Sequence, residues 1–219
     1  MTSPASGQCT TIPHLELLSV VQGMYDELFP HCLIPKSLFI DMICINHLRS
    51  EISKMVVPFA DGNETALKLL QSIENFRPEE WAASRPAFVY EFGLIGQIFK
   101  STLQLYCILS LIHLGVLLPT PELTAIKMRH SSTLYRSLNE AFNLPRLIGF
   151  MTLPVVVLGV ESAERDTPRR AQVEVWLERI AKGHGTYSPL SGRNALRLLW
   201  NSGRMGWDEC FDRSYAFVA

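Results

Sequence analysis

The sequence is short of charge. Only 19% of its 219 residues are Asp, Glu, Lys or Arg, against about 25% in ordinary globular chains, while 47% are hydrophobic. A chain so balanced collapses, which excludes charge-driven disorder. Neither sign dominates: the net charge is −1, so no global field draws the chain to nucleic acid or an anionic membrane. Residues 1–119 carry −4 and residues 120–219 carry +3. The bases of the second half are mostly Arg interleaved with Glu and Asp, the pattern of solvated helix faces. So few charges around so much apolar material predict a surface that meets something other than water.

Paired cysteine spacing is absent as well. Cys9, Cys32, Cys44, Cys107 and Cys210 are scattered, which reads as reduced thiols and not as a disulfide framework or a zinc module. Cys44 and His47 share a helix face at i,i+3. Two more ligands, such as His31 and Cys32, would have to come from elsewhere, and in its apolar run Cys44 reads as a small hydrophobe. There is no G-x-S-x-G elbow, no H-E-x-x-H, no phosphate-binding glycine loop and no basic helix ahead of a heptad run. The segment with His184, Tyr187 and Ser188 reads as an interhelical turn. No catalytic residue, cofactor site or metal site is expected, and no direct sequence-specific DNA binding. The N-terminus lacks the basic and apolar regions of a secretory signal. The apolar stretch Leu103–Leu118 falls short of the roughly 20 residues that span a bilayer and reads as a buried helix, so no membrane partner is expected.

What the sequence has is helical periodicity. Leu15, Leu18, Val21, Tyr25 and Leu28 recur at three and four until Pro30. Leu38, Met42, Ile45, Leu48, Ile52 and Met55 form a second stripe, with Asp41, Asn46 and Arg49 off it. Pro58 closes that helix, Asp61-Gly62-Asn63 reads as a turn, and Asn63 as the cap of a helix through Leu67, Leu70 and Ile73. FRPEEW reads as a short capped turn, with Pro78 at a first helical position and acids behind it. Pro86 opens a long helix, with breaks allowed at Gly93 or Gly96, that ends before Pro119; another runs from Pro121 to about Leu138. Arg146–Ser162 reads as a buried helix started or kinked by Pro154, because its Val155-Val156-Val157 run finds no second strand to pair with. Thr167 starts a helix with Val173, Trp176, Leu177 and Ile180 inside and the pairs Arg170/Glu174 and Glu178/Lys182 outside. Gly183–Gly192 reads as a loop, Ser191 as a cap, and Trp207–Phe217 as a last helix. The fold class is all-α, an irregular multi-helix bundle of antiparallel helix pairs: a disordered tail over residues 1–11 and one domain over residues 12–219.

Tyr106 and His113 lie seven residues apart on one side of the long apolar helix, and are the candidate lining of a pocket for a small apolar ligand. The tryptophans Trp81, Trp176, Trp200 and Trp207 read as core anchors.

The last seventy residues resemble the C-terminal end of the fungal-specific transcription factor domain, second type. The resemblance rests on the apolar segment from Leu153-Pro154 to Gly159, then Glu161, an amphipathic helix, a loop, a helix ending in Trp200, and Trp207-Asp208. Upstream, FRPEEW and YEFGLIGQIFKSTLQLYCILSL are similar to that family's middle helices. The resemblance implies an all-helical, non-enzymatic regulatory domain in the nucleus, working through another protein chain or a homodimer and responsive to a small apolar effector. In that family the domain usually follows a six-cysteine zinc cluster that binds DNA, and the five scattered cysteines here cannot supply one. The alternative is a helical enzyme acting on an apolar metabolite, or a peripheral membrane protein.

Overall fold

The computed structural model describes residues 34–56, 58–164 and 167–211, together with 2–3, 19–20, 23, 25 and 215–216. The helices are α1 (Lys36–Ser53), α2 (Phe59–Asn75), α3 (Pro78–Ala83), α4 (Val89–His113), α5 (Pro121–Ala141), α6 (Thr152–Glu161), α7 (Thr167–His184), α8 (Ser188–Ser202) and α9 (Trp207–Cys210). One pair of short strands accompanies them: β1 (Thr2–Ser3) runs antiparallel to β2 (Tyr215–Ala216), with Thr2 opposite Ala216. The architecture is all-α. Short connections force α1/α2, α4/α5 and α7/α8 into antiparallel pairs, each packed together. Of the first expected helix, Ser19, Val20, Gly23 and Tyr25 are helical and the rest lies outside the described residues, as does most of the expected tail.

Helix α4 is the axis of the bundle. It packs against α1, α2, α3, α5, α6 and α9, and every residue from Ile98 to Leu111 is buried. A helix apolar all round is stable in water only when other helices cover it. By length and composition α4 would also suffice to cross a membrane, yet 83% of its apolar window is buried inside the fold. It runs unbroken through both glycines. Gly96 sits where a Cβ would stand 3.1 Å from that of Pro78, so its missing side chain lets α3 lie close.

Helix α6 is the second buried element, with all ten residues inside. Pro154 occupies its first turn, where backbone N–H groups have no intrahelical acceptor, so the ring removes no hydrogen bond. Gly159 faces α8 so closely that a Cβ there would lie 2.4 Å from Leu196 Cδ1. The same crossing is fastened by Trp200, whose Nε1 donates to the Gly159 carbonyl at 3.0 Å.

Several sequence expectations are corrected. Helix α1 stops at Ser53, and Met55 follows with φ 58° and 92% exposure, so it belongs to the turn and not to the buried stripe. Asp61, Gly62 and Asn63 are not a turn. They lie in the first turns of α2, which Pro58 caps, and the Asn63 amide donates to the Val116 carbonyl at 2.8 Å. Ser191 is inside α8, whose N-cap is Tyr187. Arg170 does not pair with Glu174; it donates to the Ser162 and Ala163 carbonyls at 3.1 and 2.7 Å. Glu174 instead takes both nitrogens of Arg197 on α8. The last helix ends at Cys210, and the chain is extended at Tyr215–Ala216.

The α6–α8 crossing gives a direct test. Alanine favours a helix over glycine by about 1 kcal/mol, so Gly183→Ala, with open space around it, raises the melting temperature. Gly159→Ala lowers it, because displacing the fully buried Leu196 costs about 1–3 kcal/mol. Thermal melts of the two variants showing the same sign would contradict the close crossing.

Candidate functional site

Helix α1 carries three polar side chains, Asp41, Asn46 and Arg49, that its sequence pattern sends to the solvated side. Two are buried: Asp41 is 8% exposed and Arg49 4%. The reason is that α1 meets α2 and α4 and that Arg49 reaches Asp208 of α9, so little of its circumference stays wet.

Arg49 is the hub. Its Nη1 donates to the Tyr106 hydroxyl at 2.7 Å, and its Nη2 to Asp208 Oδ1. The Tyr106 hydroxyl in turn donates a hydrogen bond to Asn46 Oδ1. The indole of Trp207 stands edge-on to the Tyr106 ring, centroids 4.7 Å apart, with Phe211 another 4.7 Å beyond Trp207. The sequence-predicted pair Tyr106 and His113 therefore faces one short piece of chain. Tyr106 meets Trp207, while His113 lies under Gly206, a Cβ on which would be 2.8 Å from Nδ1. His113 Nε2 is also 4.0 Å from Glu209 Oε1. Both residues face the segment Gly206–Glu209.

Two further polar clusters hold helices together. Glu161, 1% exposed, accepts from Arg169 at 3.3 Å, which also donates to Ser131 at 2.8 Å, so α6, α7 and α5 share one ion pair. At the C-terminus of α2, Lys100 donates to the Glu74 and Phe76 carbonyls at 2.7 and 3.2 Å, a cation on orphan helix-end acceptors. His130, 4% exposed, puts Nε2 3.2 Å from Glu74 Oε2 and Nδ1 3.4 Å from Ser101. Burial holds its pKa below the usual histidine value, against the pull of Glu74. Nothing in the local sequence marks His130, because its partner is 56 residues away.

The three described thiols resist ionisation. Burial pushes Cys44, Cys107 and Cys210 above the ordinary cysteine pKa, and the thiolate is the nucleophile and the ligand. Among the described residues no three His, Cys, Asp or Glu side chains gather to hold a metal ion. His31 and Cys32 lie outside the described residues, as does the side chain of His184. A groove of about 520 Å³ lies where α7 turns into α8, lined by Glu178, Lys182, Tyr187, Leu190 and Arg193 among others. Its carboxylate is engaged by Arg193 and by Lys182. Neither Tyr106 nor His113 lines it.

Asp41 yields a pH test. Burial raises its pKa from 3.8 to about 6, despite the Ser72 hydroxyl donating to it at 3.0 Å. A carboxyl that keeps its proton longer in the folded state loses stability as pH rises from about 4 to about 6, and the deficit persists above that, at about 1–3 kcal/mol. Asp41→Asn keeps an acceptor for Ser72 and removes the ionisation. It raises the melting temperature at pH 7.5 and changes little near pH 4. Equal stabilities at both pH values would show that Asp41 is not held in this way.

No family model matches the chain, and no solved structure matches it. In an alignment of 224 positions that covers 99% of its length, the chain is 36% identical to the phomenoic acid biosynthesis cluster-specific transcriptional regulator of Leptosphaeria maculans. It spans 42% of that protein's length. Nearly the whole chain is thus similar to part of a fungal transcriptional regulator.

Proposed function

We propose that this chain is the helical regulatory domain of a fungal transcriptional regulator, of the second-type fungal-specific class that its C-terminal residues resemble. It works in the nucleus, without chemistry of its own. It contacts another protein chain or a second copy of itself, and a small apolar effector biases which helix packing it holds. The identity along 99% of the chain to a cluster-specific regulator carries the reading. Residue chemistry supports it: buried acids and bases are spent on holding helices, and the buried thiols are pushed away from ionisation.

The effector acts by population shift, which requires that it prefer one of two packings. For contact, apolar side chains stand exposed where two connections meet: Met55 at 92%, Val56 at 63% and Leu118 at 70%. Asn63 joins the start of α2 to the Val116 carbonyl there.

Fusion of the chain to an unrelated sequence-specific DNA reader tests the regulatory role in a fungal nucleus. The fusion shifts expression of a reporter several-fold relative to the reader alone, and Met55→Asp with Leu118→Asp weakens that shift. An expressed fusion whose reporter matches the reader alone would contradict the proposal.

A further inference from the structure

On the reading of the chain as effector-responsive, Arg49 adds one polar group, a carboxylate, to an effector that is otherwise apolar. Arg49 is 4% exposed, and its guanidinium is held in place by the Tyr106 hydroxyl. Its only carboxylate among the described residues is Asp208, engaged through one oxygen. Among the described residues, neither Arg49 Nε nor Asp208 Oδ2, both buried, has a hydrogen-bond partner. A guanidinium is built to take both oxygens of a carboxylate along two parallel N–H bonds. Here the pair is made by halves, and each half leaves a buried polar atom unmet.

The neighbouring side chain completes the pattern. Trp207, 1% exposed, places a flat aromatic ring against Tyr106 while the next residue places a carboxylate on Arg49. A small molecule carrying an aromatic ring and a carboxylate on a short spacer presents the same two groups, and is free to meet the guanidinium with both oxygens. We propose that Trp207–Phe211 is a displaceable latch in a binding site for an aromatic carboxylate, with Arg49 receiving the carboxylate and Tyr106 the ring.

The latch is held by the Arg49–Asp208 pair and by the burial of Trp207, Cys210 and Phe211, and its root is free to turn. Gly203 and Gly206 flank its root with φ 68° and 110°, conformations that glycine adopts without strain, and residues 203–205 between α8 and the latch are exposed. Helix α9 has four residues, so it has little helical stability of its own. Glu209 makes partly exposed pairs with Arg204 at 3.0 Å and His113 at 4.0 Å, which contribute little. Beyond the latch, Tyr215–Ala216 pairs with Thr2–Ser3.

Naphthaleneacetic acid, with naphthaleneacetamide as the uncharged control, is titrated calorimetrically into the full chain. The acid binds and the amide does not. Asp208→Asn, which weakens the latch, tightens binding about tenfold, since a ligand's apparent affinity scales with the open fraction. Arg49→Lys, which keeps the charge and loses the fork, weakens it about tenfold or more. Hydrogen exchange on the wild-type chain needs no variant: saturating acid accelerates exchange at Trp207–Phe211 and leaves α4 protected. Absence of binding, binding that Arg49→Lys leaves unchanged, or binding without faster exchange at Trp207–Phe211 would each overturn the proposal. No readout here involves transcription, so a silent reporter fusion and an unbound probe are separate failures.

Discussion

One buried guanidinium joins the beginning of the described bundle to its end. Arg49 on α1 binds Tyr106 on α4 and Asp208 on α9, elements separated by as many as 159 residues. A buried cation is tolerated only with partners, because an unpaired charge in a dry interior costs several kcal/mol. The position of α9 is thereby tied to that of α1, and the rings of Trp207 and Phe211 follow Asp208 into the core. The other ionic clusters obey the same rule: Glu161 with Arg169, and Glu74 with Lys100 and His130, each sit where three elements meet.

These placements explain the residues behind the family resemblance. Gly159 is required by the approach of Leu196, Glu161 by Arg169, Trp200 by the Gly159 carbonyl, and Trp207-Asp208 by Tyr106 and Arg49. They are packing and fastening residues. A pattern made of such positions travels with a fold, which is why it reads as diffuse along the sequence and gives no catalytic signature.

The helices were legible because apolar spacing is local. Leu38, Met42, Ile45, Leu48 and Ile52 line the buried side of α1 as their spacing requires, and Val173, Trp176, Leu177 and Ile180 do the same for α7. Boundaries were less so. Gly62 and Asn63 carry turn chemistry, yet Pro58 starts α2 ahead of them, since a first turn tolerates polar residues and glycine. The site was legible only in part. Tyr106 and His113 stand out as polar groups on an apolar helix, and both do face one segment. Arg49 and Asp41 resembled solvent-facing charges, because their partners come from distant parts of the chain. Counting only the residues of its own helix, no periodicity separates a buried charge on the far side from a solvated one.

The account turns on whether Arg49 and Asp208 hold the end of the chain as a pair. A double-mutant cycle with Arg49→Met, Asp208→Asn and the combination, followed by denaturant unfolding, measures their coupling without the separate costs of each change. The account predicts a coupling of about 2 kcal/mol or more, as for a desolvated charge pair. A coupling below about 0.5 kcal/mol, the size expected of an exposed surface pair, would contradict it.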